Sequence, residues 1–443
     1  MSVKVSKFGG TSLADAAQIR KVIDILRSDA ERRFLVPSAP GKRHADDEKI
    51  TDLLLTCHRM AENGEDTTGI FNYICGRYDR IVEDLGLKLD LSGEYALIAR
   101  NLKRGASRDY LVSRGEYLCA RLLAAALDWE FIDAAEVILF DARGRFNPDG
   151  THEKLSARLR VAKNAVIPGF YGSMPDGRIK TFSRGGSDIS GALVARAISA
   201  SVYENWTDVP GFMMADPHIV SGARIIDIIT YRELRELAYM GAQVLHEDSI
   251  FPVRQAGIPI HIRNTNYPKA PGTLIVSRAE SRPDRTITGI AGRKGFDVIT
   301  IDKELMNSEL GFGRRVLSVF EQHGVSFEHM PTGIDTLSVV VRDSELDGKL
   351  DTILADIRKS VDPDRVEVTR DLALIATVGE GMIRKPGTAA RLFMGLASAG
   401  VNVRMIDQGS SELNIIVGVD NADFEKSIRA IYDAFQMGKR SYP

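Results

Sequence analysis

Residues Arg315–Val341 and Arg391–Val417 align in one register without a gap. Gly324 falls on Gly400, Val325 on Val401, Gly333 on Gly409 and Leu337 on Leu413. The apolar triplet at 339–341 falls on the one at 415–417. A match this long points to a duplicated module rather than to shared helix–strand grammar. Each copy reads as a helix, a glycine stop, a strand, a turn and a second strand. A further helix follows at Asp347–Lys359 and at Asp423–Phe435. Modules of about 75 residues bury little core alone, so the two are expected to pack on each other.

Upstream of about residue 280 the pattern changes. Strand-like runs (34–36, 165–167, 179–182, 202–206, 258–262) alternate with helical ones (50–60, 116–127, 189–199, 231–240). This order predicts an α/β domain with a mostly parallel sheet sandwiched by helices. Ligands of such sheets bind beyond the carboxyl ends of the strands. The polar, proline-interrupted stretch Ser277–Arg285 marks the boundary with the duplicated part. A chain of 443 residues has room for two to four domains.

Two segments share one design. In VSKFGGTSLADAAQIRKV, an alternating strand from Val3 runs into Lys7-Phe8-Gly9-Gly10-Thr11-Ser12, and helical spacing begins at Ala16. Thr11, Ser12 and Asp15 are candidate helix caps. In SRGGSDISGALVARAI, a strand at 179–182 runs into Arg184 and two glycines before a helix. Glycine lets backbone approach a ligand, helix starts attract anions, and Lys7 and Arg184 add charge. Ser187 and Asp188 can also be read as plain caps. Two such corners together point to an anion site. No G-x-x-x-x-G-K-[ST] occurs, so a nucleotide would bind without a P-loop.

Other segments allow two readings. SRGE places Glu116 at an apparent helix start, where it offsets the dipole or pairs with an ammonium group; the residues alone favour the first. LVPSAPG ends a strand at Ser38. Thr51-Asp52 reads as an ordinary helix start. In NWTDVPG, Trp206 suits a core, while Thr207 and Asp208 suit a nucleotide edge.

Composition narrows the class. A formal net charge of −2 argues against nucleic acid or a membrane surface as main partner. Cys57, Cys75 and Cys119 are scattered and fit reduced thiols. The eight histidines show no H-x-x-x-H or H-E-x-x-H spacing, so a protein-held metal is not expected. No run approaches 18 apolar residues, and the opening MSVKVSKF lacks a leader's apolar stretch; a cytoplasmic protein is expected.

KFGGTS (7–12), residues 35–41, SRGE (113–116), SRGGSD (183–188), TDVPG (207–211) and GAQVLH (241–246), in this order, resemble aspartokinases of the amino-acid kinase superfamily. The repeats, with QGSSE at 408–412, resemble paired ferredoxin-like α+β ACT domains. The resemblance implies a catalytic domain over 1–282 and ACT domains over 283–363 and 364–443. It implies ATP with Mg²⁺ and L-aspartate as partners, and 4-phospho-L-aspartate as product, in the first step towards lysine, threonine, methionine and diaminopimelate. Lys7, Arg184 and Asp188 become the catalytic candidates, with Lys7 on the migrating phosphoryl group. Gly9 and Gly10 would offer N–H groups; Thr207, Asp208 and Gln243 would border the nucleotide. Ser38, Thr51, Glu116, Arg184 and Ser187 would hold aspartate, Glu116 on its ammonium and Arg184 on its α-carboxylate. Mg²⁺ would ride on the phosphates.

The chain departs from many relatives at Gln243, where they carry lysine, and at His218, where they carry arginine. Both changes remove positive charge, which Arg224 would have to offset. The resemblance also implies an effector, lysine and/or threonine, at Met306, Gly311, Phe312, Glu328 and Thr332 in the first repeat and Gln408, Ser411 and Asn414 in the second. It further implies a homodimer or higher homo-oligomer through the ACT domains, and no fused homoserine dehydrogenase. A kinase acting on acetylglutamate, glutamate or a nucleotide, and an amino-acid sensor without turnover, are the rival readings.

Overall fold

The computed structural model describes residues 2–183, 185–242, 247–278 and 285–436. They form two compact units. The first takes the described residues of Met1–Phe212, Ile225–Tyr231 and Val244–Ala279; the second takes those of Met213–Arg224, Arg232–Gln243 and Glu280–Pro443. The stretches at 213–224 and 232–243 thus go with the duplicated part, although they lie well before residue 280 in the chain.

The first unit begins β1 (Lys4–Phe8), α1 (Ala16–Arg27), β2 (Arg32–Pro37), α2 (Ile50–Glu62), α3 (Thr68–Leu85), α4 (Ser92–Lys103) and α5 (Arg108–Leu127). It continues with β3 (Glu130–Phe131), α6 (Ala134–Val137), α7 (Pro148–Val161), β4 (Ala165–Val166), β5 (Tyr171–Ser173), β6 (Ile179–Thr181), α8 (Gly186–Ala197), β7 (Val202–Thr207) and β8 (Ile228–Thr230). After α9 (Tyr231–Tyr239), which belongs with the second unit from Arg232 on, come α10 (Glu247–Gln255), β9 (Ile260–Asn264) and β10 (Thr273–Val276).

Eight strands form one sheet in the order β3-β4-β2-β1-β7-β9-β10-β8. Every pairing is parallel except β9 with β10. β1 is central, and Val5 to Phe8 are buried on both faces rather than on the single face its alternation suggests. One face carries the core built by α1, α2, α3 and α5 with Phe8, Leu35 and Trp206. The other is covered by α8, which lies against β1, β2 and β7. β2 lies on one side of β1 and β7 on the other. This is a topological switch point, where α/β sheets open a crevice at their carboxyl edge.

The second unit runs β11 (Gly289–Asp302), α11 (Phe312–Gln322), β12 (Thr336–Arg342), α12 (Asp343–Leu346), α13 (Leu350–Val361), β13 (Arg365–Val378), α14 (Thr388–Ser398), β14 (Met405–Asp407), β15 (Asn414–Asp420) and α15 (Phe424–Gln436). The duplication is visible in it. Gly324 and Gly400 end α11 and α14 in the left-handed region (φ +61° and +65°), which only glycine enters without strain. The two modules pack through a single antiparallel sheet, β12-β11-β13-β15-β14, joined along the 14-residue strands β11 and β13. The strand expected after Gly324 is absent among the described residues. His329 and Thr332 make only isolated bridges, to Val340 and Leu337. Its counterpart after Gly400 shrinks to β14. No described helix is long and apolar enough to cross a membrane.

Candidate active site

The first glycine corner leaves β1 at Phe8. Gly9 donates its N–H to the Trp206 carbonyl at 3.1 Å, so this group serves the sheet rather than the phosphate expected for it. A Cβ at Gly9 would make only ordinary contacts, 3.8 Å from the Trp206 carbonyl oxygen and 3.9 Å from Lys7 Nζ, so packing does not demand glycine there. Gly10 meets the loop after β2 face to face. Its carbonyl accepts from Gly41 N at 2.8 Å, and a Cβ on Gly10 would lie 2.8 Å from the Ala39 carbonyl oxygen. Asp15, not Thr11 or Ser12, caps α1 by accepting from Gln18 N. Ser12 Oγ instead meets Thr265 Oγ1 at 2.8 Å, beyond the end of β9.

The second corner reaches the first. α8 starts behind Gly185, which is left-handed (φ +56°) and leaves the helix without a side-chain cap. Asp188 is therefore released from capping. Its Oδ1 takes Lys7 Nζ at 2.6 Å and Asn205 Nδ2 at 2.9 Å. Lys7 is 8% exposed and sits opposite Asn205 in the register of β1 and β7. Arg184 and Gln243 lie outside the described residues. Ser187 packs against the loop after β4, where a Cβ on Gly169 would lie 2.7 Å from its own. In that loop Phe170 is left-handed (φ +82°), a strained state for a bulky residue, with its N–H donated to the buried Ser190 Oγ at 3.0 Å.

Thr207 and Asp208 close the edge. Thr207 accepts Thr265 N at its carbonyl (2.9 Å), and its hydroxyl donates to Asp208 Oδ1 at 3.1 Å. Asn264 Nδ2 donates to the Asp208 carbonyl. Below the edge, on the sheet face opposite Lys7, Glu204 is buried. It accepts from Arg32, Ser6 and Trp206, and Arg263 lies 3.5 Å away. The Trp206 ring stacks on Phe8 and carries both guanidinium groups on its faces. This network ties β2, β1, β7 and β9 together from the amino end of β2 to Trp206, one residue short of the end of β7, beneath the carboxyl ends that carry Ser38, Lys7, Thr207 and Asn264.

Glu116 is not at a helix start. α5 begins eight residues earlier, capped by Ser107, and Gly115 lies inside it. Glycine is required there by packing: a Cβ would lie 2.8 Å from that of Ala39. The first-turn dipole reading therefore falls. Glu116 is 4% exposed, its carboxylate takes the Ala39 backbone N–H, and Oε2 has no partner among the described residues. Burial pushes its pKa up to about 8. A buried carboxyl beside Ser38–Ala39, with one oxygen unpartnered among the described residues, is a polar group that a bound donor could satisfy. Ser38 N–H donates to the Phe8 carbonyl at 3.1 Å, and Ile50, next to Thr51, donates to the Pro40 carbonyl. Arg77, buried on α3, fixes the same loop through the Gly41 and Glu48 carbonyls. Asn205 and Arg77 carry no motif signal; only the strand register of the first hints at its place.

In the second unit the effector candidates scatter. Met306 and Phe312 are core, Gly311 caps α11 with φ +79°, and the Thr332 hydroxyl donates to the Met330 carbonyl. Gln408 is exposed, and Ser411 Oγ accepts from Leu413 N. Glu328 accepts from Arg342 Nε (2.7 Å) and from the Tyr239 hydroxyl; Asn414 Nδ2 donates to Glu236 at 2.6 Å. Thr288 and Glu380 N both donate to Glu233. Glu233, Glu236 and Tyr239, spaced three apart along α9, thus bond to both modules. The backbone N–H of His218 bonds Asp216 in its own turn, and the backbone N–H of Arg224 donates to the Tyr432 hydroxyl.

Comparison with known proteins agrees with this geometry. Residues 2–264 match the amino acid kinase family, and residues 375–435 match an ACT domain. Aspartokinase 3 of Bacillus subtilis (strain 168) is 38% identical over 452 residues, covering 98% of this chain and 99% of that one. The crystal structure of Clostridium acetobutylicum aspartate kinase superposes with a TM-score of 0.89 at 51% identity, over 98% of this chain and 100% of that one. E. coli aspartokinase III, solved with aspartate and ADP in an R-state, superposes at 0.70 with 29% identity, over 98% and 99% of the chains. The same enzyme has also been solved with lysine and aspartate in a T-state (TM-score 0.71, 29% identity, 98% and 99%).

Proposed function

The chain belongs to the aspartokinases, and on that premise we propose how its residues divide the work. The enzyme transfers the γ-phosphoryl group of ATP to the side-chain carboxylate of L-aspartate. That carboxylate, with a pKa near 3.9, is already a nucleophile at neutral pH, so no general base is needed. Its oxygen forms the new bond to phosphorus while the bond to the β-phosphate oxygen breaks and ADP leaves. The protein's task is alignment and neutralising the charge that spreads over the migrating group.

Lys7 neutralises that charge. Asp188 holds the ammonium in the resting enzyme, and Arg184 takes the α-carboxylate of aspartate. Glu116, beneath Ser38, takes the α-ammonium. Ser38, Thr51 and Ser187 line the aspartate side; Gly9, Gly10, Thr207, Asp208 and Gln243 line the nucleotide side. Among the described residues no three His, Cys, Asp or Glu side chains converge as a metal cage. A Mg²⁺ ion would travel on the phosphate oxygens and add its charge to that of Lys7. We take 1–282 as catalytic and 283–363 and 364–443 as the regulatory ACT domains. Lysine and/or threonine binds the ACT domains and inhibits. Binding at Glu328 or Asn414 would compete with Tyr239 and Glu236 of α9. A cytoplasmic homodimer acting first in the route to lysine and threonine completes the reading.

The observation that carries it is the meeting of both glycine corners at the Lys7–Asp188 pair. Aspartate-dependent ADP release tests it. Lys7→Ala should lower kcat by about a hundredfold or more, the usual result of losing such an electrostatic contact. Near-normal turnover in that variant would remove the assignment.

A further inference from the structure

We propose that Asn205 is a positioning residue for phosphoryl transfer: its amide keeps the Asp188 carboxylate in place while the Lys7 ammonium leaves it for the migrating phosphoryl group. The inference rests on the role given to Lys7 above.

A single oxygen, Asp188 Oδ1, takes Lys7 Nζ at 2.6 Å and Asn205 Nδ2 at 2.9 Å. Lys7 and Asn205 are opposite each other on parallel neighbours β1 and β7, so both side chains rise from the face that α8 covers. An ammonium 2.6 Å from a carboxylate has its charge spent on that partner. To serve a phosphoryl group it must turn away, and a half-buried carboxylate would be stranded. Asn205, 3% exposed, supplies the donor that remains.

The residue type fits this task. A cation at 205 would compete with Lys7 for the phosphoryl group, and a carboxylate would repel Asp188. A neutral donor does neither. β7 grips Asp188 a second time, through the Tyr203 hydroxyl, which donates to the Asp188 backbone carbonyl at 3.1 Å. Gly191 makes room for that ring, because a Cβ there would lie 2.5 Å from the Tyr203 oxygen. Tyr203 and Asn205, two residues apart on one strand face, thus fix both the backbone and the side chain of Asp188.

Two variants of the full-length enzyme test this, assayed by ADP release. Asn205→Leu keeps approximate size and removes the donor. It should lower kcat at least about tenfold while KM for ATP and aspartate stays within about threefold. Asn205→Asp keeps the shape and places a carboxyl against Asp188, with Lys7 and Tyr203 the other titratable groups facing the pair among the described residues. When both carboxylates are ionised they repel. As pH falls, one takes a proton and donates the lost hydrogen bond. The wild-type to variant ratio of kcat should therefore shrink from pH 8.5 to pH 6. A kcat for Asn205→Leu within twofold of wild type, or a pH-independent ratio for Asn205→Asp, overturns the proposal. If Asn205→Leu does not fold, Asn205→Asp alone decides. Lys7→Ala run in parallel separates the two claims: if it is inactive while Asn205→Leu is normal, only the role of Asn205 falls.

Discussion

Glu116 shows most plainly how surroundings set the behaviour of one residue. Its carboxyl stays protonated in the folded enzyme up to about pH 8, because burial disfavours the anion. In the unfolded chain it ionises near the ordinary glutamate value of 4.5. Between those values the folded state holds a proton that the unfolded state has released, so this residue's contribution to stability falls as pH rises. Glu116→Gln, a permanent stand-in for the neutral form, should match the wild-type melting temperature near pH 5 and exceed it near pH 8.5. An aspartate ammonium reverses the balance by favouring the anion. The same variant should therefore raise KM for aspartate by about tenfold or more, as losing a hydrogen bond to a charged group does. It should also flatten the fall of wild-type KM with rising pH. Thermal melts and aspartate titrations over pH 5–9 check both effects. The local string SRGE could not reveal this, because Gly115 looks like a helix boundary. It is a glycine only because Ala39, far away in sequence, presses on it.

At the level of elements, the site depends on four parallel strands ending together. The Glu204 network fastens them from the opposite face. Glu204→Ala would leave Arg32 buried without its carboxylate, which should cost about 3–5 kcal/mol by chemical denaturation. Gln at that position keeps acceptor and shape and should lose less. Gly10→Ala drives a Cβ to 2.8 Å from the Ala39 carbonyl and would push the Ser38 loop off the corner. Its aspartate-dependent turnover should fall much more than its stability does, as parallel assays and melts would show. The strand–glycine–helix grammar of both corners was legible in the sequence, and so was the parallel sheet. The release of Asp188 from capping was not. It follows from the left-handed Gly185, which starts α8 without a side-chain cap, and from β7 bringing Asn205 alongside.

Across the whole molecule, the two ACT modules of the second unit both bond to α9, which belongs to that unit from Arg232 on, through Glu233, Glu236 and Tyr239. Lysine titrated into the assay should inhibit, alone or with threonine. Asn414→Ala, which removes the bond to Glu236, should shift the lysine concentration for half-inhibition severalfold; an unchanged curve would exclude this contact from the response. The gapless repeat declared two modules but not that they would share one sheet, since edge pairing uses backbone groups common to every sequence. The sequence by itself determined the order of elements, the duplication and the residue types able to hold phosphate and an amino acid, because periodicity and glycine chemistry are local. The tertiary structure alone decided which of them meet. The pairing of Lys7 with Asp188, the support from Asn205 and the proton on Glu116 depend on strand register and burial, which arise only between segments distant along the chain.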